Sequence, residues 1–149
     1  MFMRFIQKKK SLFLRLMCFL EGDIEKVKAE CEKGNANAQA QIAWRMCMND
    51  GIPLDRPNGA KLAKKSADQG CQEGQFTYGT CLLNGLGVDE NPTEAFKYFK
   101  LAADQRFGPA YQQLGDLYME GLGCKQDEKE AEKYYKLAQD AGFNPVVAI

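Results

Sequence analysis

The candidate catalytic nucleophiles of this chain are two serines and six cysteines. The sequence contains no histidine. Without histidine, neither residue type has the commonest general base to turn it into a nucleophile. A serine can instead use lysine in a Ser-x-x-Lys arrangement, but Leu14 and Gln69 stand three residues after Ser11 and Ser66. The sequence therefore predicts a protein that is not an enzyme.

The six cysteines do not have the spacing of a metal site or a redox motif. None belongs to a Cys-x-x-Cys pair, so we expect no zinc site, no other metal and no cofactor. Their even number would allow three disulfides, but the irregular spacing favours reduced thiols, packed as small apolar side chains in a cytoplasmic protein. They are Cys18, Cys31, Cys47, Cys71, Cys81 and Cys124.

Charge and composition narrow the class of partner. The 149 residues include 20 basic and 20 acidic side chains, and 45% of all residues are hydrophobic. A chain with no net charge creates no general field that attracts nucleic acid or an anionic membrane. We therefore expect a folded protein without a nucleic-acid partner.

The first twenty residues allow two interpretations. The basic residues 8–10 precede a mostly apolar segment over 11–20, which has the outline of a secretion signal. However, Arg15 interrupts that segment, no small-residue cleavage site follows it, and it is too short to span a membrane. The alternative is a capping helix, because large apolar residues recur at mostly helical spacing: Phe2, Phe5, Leu12, Leu16 and Phe19.

Three consecutive blocks of 36 residues repeat one pattern, at 35–70, 71–106 and 107–142. Small and large residues alternate at helical spacing in each block and predict a first helix with a narrow core face. A second helix follows, with small residues beside aromatic or aliphatic ones. The aligned sets are Ala38/Gly74/Ala110, Ile42/Tyr78/Leu114, Ala43/Gly79/Gly115 and Met46/Leu82/Tyr118 in the first helix, and Gly59/Ala95/Ala131, Leu62/Tyr98/Tyr134 and Ala63/Phe99/Tyr135 in the second.

The ends of these helices are marked by residues that favour caps. A helix often ends in the left-handed conformation, which glycine adopts freely and asparagine tolerates. Aspartate and asparagine accept hydrogen bonds from the unpaired amides at a helix start. The predicted C-caps are Asn49, Gly85 and Gly121, and the predicted N-caps of the second helices are Asp55, Asn91 and Asp127.

Each block is thus a helix pair that cannot bury its apolar face alone, so neighbouring pairs must stack. The predicted fold is all-α, a right-handed α/α superhelical solenoid of antiparallel helix pairs. We expect residues 1–34 to form an N-terminal capping pair whose second helix covers residues 23–33. Residues 143–149 look like the start of a truncated fourth repeat.

Three segments of the second and third blocks are characteristic: Gly74-Gln75-Phe76-Thr77-Tyr78-Gly79, Gly85-Leu86-Gly87-Val88 and Leu114-Gly115-Asp116-Leu117-Tyr118. With these segments, residues 35–142 resemble the Sel-one-like repeat family, a relative of the tetratricopeptide repeat with a longer, glycine-rich loop. Departures from the family pattern include Arg45, where an apolar residue is usual, and Ile52-Pro53 in the loop. Leu62 stands where an aromatic residue is usual, and Arg106 stands where glycine is usual.

In the tetratricopeptide relatives, the first helices line a concave groove that accepts a peptide, and the resemblance implies the same arrangement here. The positions that would face the groove are Ala40, Trp44, Cys47, Phe76, Thr80, Leu83, Gln112, Asp116 and Met119. Trp44 and Phe76 would form a part-exposed aromatic cluster, which suits a binding hot spot. The competing interpretation places both residues in the core.

The leading functional hypothesis is a protein-binding adaptor or scaffold with a protein or peptide as its partner. Its open C-terminal repeat could also support end-to-end self-association. A secreted or host-directed repeat protein is the alternative that the N-terminal residues suggest. Secreted, cysteine-rich members of the family have been linked to β-lactam hydrolysis or binding, but they carry paired cysteines in every repeat, which this sequence does not.

Overall fold

A computed structural model describes residues 24–143 of the chain, and all regular secondary structure in this part is helical. The first helix has nine residues and the other six have thirteen each. In chain order they are α1 (Ile24–Glu32), α2 (Ala36–Met48), α3 (Arg56–Asp68), α4 (Gln72–Asn84), α5 (Pro92–Asp104), α6 (Gly108–Glu120) and α7 (Glu128–Asp140).

Side-chain caps begin the second helix of every block, as the sequence predicts. The carboxylate of Asp55 accepts a hydrogen bond from the amide of Asn58, and the side chain of Asn91 accepts one from Glu94. Asp127 caps two amides at the start of α7. These contacts satisfy amide groups that the helix itself leaves unpaired.

Left-handed residues end the first helix of every block. Asn49, Gly85 and Gly121 have φ angles of 55°, 63° and 67°. The prediction that asparagine replaces glycine at one C-cap is therefore confirmed. Because all three helices end in the same way, the chain leaves each one in the same direction.

The two helices of a block run antiparallel. At one end of the first block, the hydroxyl of Ser66 donates to the carbonyl oxygen of Ala36 over 2.6 Å. At the other end, the amide of Asp55 donates to the carbonyl oxygen of Met46 over 3.0 Å. The later blocks repeat this second bond, from Asn91 to Leu82 and from Asp127 to Tyr118. The helix pairs α2/α3, α4/α5 and α6/α7 are thus three copies of one hairpin.

Small residues let the helices of a pair approach closely. Gly79 lies against the ring of Phe99, and a Cβ atom at Gly79 would come within 3.1 Å of that ring. Gly115 faces Tyr135 in the same way, at 2.6 Å. Glycine therefore stands opposite an aromatic ring in both later repeats. In the first repeat, the equivalent positions hold two alanines, Ala43 and Ala63, both fully buried.

Successive pairs then stack into a solenoid. The second helix of each pair packs on the first helix of the next, as α3 does on α4 and α5 on α6, and the first helices α2 and α4 also meet. Aromatic and aliphatic side chains from α4 to α7, together with Trp44 of α2, form the main core. The predicted helix over residues 23–33 is found as α1, which packs on α2. The rest of the predicted N-terminal cap and residues 144–149 lie outside the described residues.

In the second and third blocks, the second glycine of the turn brings neighbouring repeats together. Gly87 has a φ angle of 73°, and a Cβ atom there would overlap the carbonyl group of Arg56, at the start of α3. Gly123 has the same relation to Pro92, at the start of α5. Each turn therefore rests against the backbone of the preceding repeat, where no side chain fits.

We expect Gly87→Ala to lower the free energy of unfolding by about 3 kcal/mol, because it combines left-handed strain with a backbone clash. Gly70→Ala is the matched control, since Gly70 has a φ angle of 82° but no atom within 4 Å of a built Cβ. Its cost should be about 1 kcal/mol. Urea denaturation measures both values, and equal costs would show that the close approach to Arg56 carries no energy.

Arg106 adopts the left-handed conformation, with a φ angle of 63°, at a position where Gly70 and Gly142 stand in the other repeats. The departure from the family pattern therefore leaves the turn intact but strained. Arg106→Gly should raise the free energy of unfolding by about 0.5–1 kcal/mol, since the relief of strain exceeds the added backbone entropy of the unfolded chain. Thermal unfolding tests this, with Gly70→Arg expected to destabilise. A loss of stability in Arg106→Gly would contradict the assignment of strain.

Candidate functional site

The predicted groove residues of the first block are buried. Ala40 and Cys47 are inaccessible, and Trp44 is only 7% exposed. Phe76, which holds in the second block the position that Ala40 holds in the first, is 5% exposed. These side chains are part of the packing between helices, so they offer little surface to a partner.

The expected aromatic hot spot is therefore a core cluster, and the prediction that it is part-exposed is wrong. The rings of Trp44 and Phe76 have their centroids 6.3 Å apart. Phe76 also meets the rings of Phe99 and Phe107, each at 5.5 Å and edge-on. Phe76 thus joins three structural units: the first repeat, its own second helix, and the turn into the third repeat. Aromatic rings in such contacts bury large apolar areas.

The remaining predicted residues lie nearer the solvent. Four of them are half-buried, and Met119 is 36% exposed. We call these five residues the α4–α6 surface: Thr80, Leu83, Gln112, Asp116 and Met119. Because equivalent positions on equivalent helices face the same way, they share one side of the solenoid.

Two polar side chains of the α4–α6 surface are held by bonds within the protein. The hydroxyl of Thr80 donates to the carbonyl oxygen of Phe76 in its own helix over 2.9 Å. The carboxylate of Asp116 accepts from the phenol of Tyr135 on α7 over 2.9 Å. Burial and the nearby negative charge of Asp116 raise the pKa of Tyr135, so the phenol stays protonated and remains a donor.

Apolar contact is available at the ends of the first helices. Leu83 and Met119 hold the same position in consecutive repeats, the position that Cys47 holds in the first. Leu83 packs partly on the core, whereas Met119 and the nearby Leu122 are exposed. Exposure therefore increases along the chain from the first repeat to the third.

A pair of glutamine contacts was not predicted from the sequence. The side-chain amide of Gln69 donates to Gln39 over 2.7 Å, and that of Gln105 donates to Gln75 over 2.8 Å. Gln105 also donates to the carbonyl oxygen of Gly70, which ties the second repeat to the end of the first. Both acceptors are buried polar residues. The sequence does contain a sign of these contacts, because glutamine recurs at the same two positions of the first two blocks.

The described residues include one of the two serines and several potential metal ligands. Ser66 is fully buried and its hydroxyl is engaged with Ala36. Between residues 24 and 143, no three metal-ligating side chains come together. No helix in that range combines the length and the apolar character needed to cross a membrane.

Antiparallel helix pairs that recur every 36 residues and share one stacked core define an α-solenoid of helix-hairpin repeats. The model of the Sel1 repeat matches this chain three times in succession, at residues 36–71, 72–107 and 108–143. These matches cover more than half of the chain. The protein belongs to the Sel1 repeat family.

Solved structures show the same architecture. A Sel1 repeat protein from Oxalobacter formigenes is 23% identical, with a TM-score of 0.75 over 83% of this chain and 95% of that one. A protective antigen of uropathogenic Escherichia coli strains, which displays an SLR fold, is 30% identical with a TM-score of 0.72 over 82% of this chain and only 26% of that one. Helicobacter pylori cysteine rich protein B is 20% identical, with a TM-score of 0.61 over 83% and 91%. No curated protein matches the chain.

We expect Phe76→Ala to lower the free energy of unfolding by about 3–5 kcal/mol, because it empties the centre of the aromatic cluster. Thr80→Ala, one turn further along α4, is the control and should cost less than about 1 kcal/mol. Urea denaturation with tryptophan fluorescence measures both, since Trp44 is the only tryptophan. A Phe76→Ala protein as stable as the parent would show that Phe76 behaves as a surface residue.

Proposed function

We propose that this protein is an adaptor or scaffold that binds a protein or peptide along the α4–α6 surface. The observation that carries the proposal is the exposed Met119, aligned with the half-buried Leu83 one repeat earlier, on the face formed by the first helices. Membership of the Sel1 repeat family favours a protein-interaction scaffold. The balanced charge of the chain argues against nucleic acid as the partner.

The arrangement of the surface suits recognition of a polypeptide. Met119 and Leu83 offer apolar contact, and methionine adapts to partners of different shape. Between them in sequence, Gln112 is half-exposed and carries an amide that can both donate to and accept from a peptide backbone. Because the helices are held by a stacked core, the surface is formed before binding and loses little conformational entropy.

The location of the protein belongs to the same proposal. We infer a cytoplasmic protein, because a reducing compartment would maintain buried thiols such as Cys47 and Cys81. Extraction of the protein in denaturant with a thiol-blocking reagent, followed by mass mapping, tests the state of the cysteines. Six alkylated thiols are expected, and disulfides in freshly isolated protein would favour the secreted alternative.

Replacement of an anchor on the α4–α6 surface should weaken binding without unfolding the protein. We expect Met119→Arg to reduce partner capture by about tenfold or more, because a charge replaces an apolar contact. Leu101→Arg is the matched control, since Leu101 is an apolar residue that is 48% exposed on a second helix, α5. Quantitative affinity capture compares the two variants with the parent protein.

A photo-crosslinking amino acid at residue 119 or 101 then shows which face a partner touches. The proposal predicts a specific adduct from position 119 and none from position 101. Adducts only from position 101, or equal loss of capture in both arginine variants, would place the binding surface elsewhere. Circular dichroism verifies that each variant remains helical.

A further inference from the structure

Two buried cysteines from consecutive repeats lie side by side. Cys47 is on α2 and Cys81 is on α4, and their sulfur atoms are 3.6 Å apart. Each residue is 1% exposed. Since α2 and α4 are the first helices of neighbouring repeats, this contact joins the first repeat to the second. The repeat period gives no sign of it, because the two cysteines occupy different offsets in their blocks.

The space around the pair is small and apolar. Cys47 and Cys81 share a core cluster with Ala60 and Leu86. On the other side, a Cβ atom at Gly59 would come within 2.6 Å of the Cys47 sulfur. The two thiols are therefore pressed together by close packing, and each is the other's thiol neighbour.

The two sulfur atoms differ in their electrostatic surroundings. The hydrogen bond with Cys81 lowers the pKa of Cys47 against the effect of burial, and the charge of Arg56 also lowers it while the charge of Asp55 raises it. The same hydrogen bond, together with burial, raises the pKa of Cys81. Cys47 is thus the thiol that ionises first and Cys81 the one that keeps its proton. A thiolate beside a thiol is the arrangement from which a disulfide forms.

We propose that Cys47 and Cys81 form a reversible disulfide between the first and second repeats when the protein meets hydrogen peroxide. The contact between their sulfur atoms and their placement on two neighbouring repeats carry the proposal. Formation of the bond requires the sulfur atoms to approach each other by about 1.5 Å. The disulfide does not depend on the proposed binding function.

The reaction balances in two steps. The Cys47 thiolate attacks one oxygen of hydrogen peroxide, the O–O bond breaks, and hydroxide leaves to become water with the proton that Cys47 had lost. Cys47 is then a sulfenic acid. Cys81 loses its proton as its sulfur attacks the Cys47 sulfur, the S–O bond breaks, and hydroxide leaves with that proton as a second water. Two thiols are oxidised and one peroxide is reduced by two electrons.

Access to the buried pair is provided at the end of α2. Cys47 lies in the last turn of this helix, one residue before its final residue, Met48. Helix ends open locally at lower cost than helix centres, and a peroxide is small enough to use such an opening. We therefore expect slow oxidation that accelerates in urea below the unfolding transition.

Peptide mapping of the full chain after peroxide treatment tests the proposal. Trypsin yields a peptide over residues 46–61 with Cys47 alone, and a peptide over residues 66–97 with both Cys71 and Cys81. We expect these two peptides to be joined, two mass units lighter than their sum, and released by a reductant. The melting temperature should rise by about 5 °C, because the crosslink restricts the unfolded chain.

Two variants identify which cysteines form the disulfide bond. In Cys71→Ser the joined peptides should persist, which attributes the link to Cys81. In Cys81→Ser, verified as folded by circular dichroism, the link should be lost, and dimedone should trap the sulfenic acid of Cys47. Loss of the link in Cys71→Ser would overturn the proposal. The proposal would also be overturned if, in the parent protein, Cys47 and Cys81 both remained alkylatable while other cysteines were oxidised. This second outcome requires no variant.

Discussion

Two helices can lie face to face at close distance only where a small residue on one of them makes room for a side chain of the other. This constraint governs every repeat of the protein. Gly79 receives the ring of Phe99, and Gly115 receives the ring of Tyr135. In the first repeat two buried alanines meet at the equivalent positions. The hairpin keeps its form because the combined volume of the facing side chains is limited.

Stacking depends on the same principle at the level of the backbone. The turn glycines Gly87 and Gly123 rest on the first residues of the preceding second helix, where a Cβ would overlap the main chain. Buried polar groups then hold the repeats in register, because each must find its partner: Gln105 reaches both Gln75 and the carbonyl oxygen of Gly70. Apolar packing supplies the driving force, and these directional contacts determine how one repeat sits on the next.

The proposed binding function depends on which first-helix positions the stacking leaves uncovered. Toward the N-terminal end, Trp44 and Phe76 fill the contact between neighbouring repeats and act as core residues. Toward the C-terminal end, Leu83 and Met119 remain partly open. The same positions within the repeat therefore supply both the core and the candidate binding surface. The described residues also contain a closely packed thiol pair at the boundary of the first two repeats.

The sequence alone determined the family, the helix pairs and their ends, because periodicity and capping depend on residues close together in the chain. Its repeat alignment was enough to assign Asn49 as a left-handed cap and to place Arg106 at a glycine position. Tertiary structure decided the burial of Phe76 and the meeting of Cys47 with Cys81. Both depend on how far each helix is rotated and shifted against its neighbour. The side-chain volumes across the whole stack determine this arrangement, and no local sequence pattern shows it.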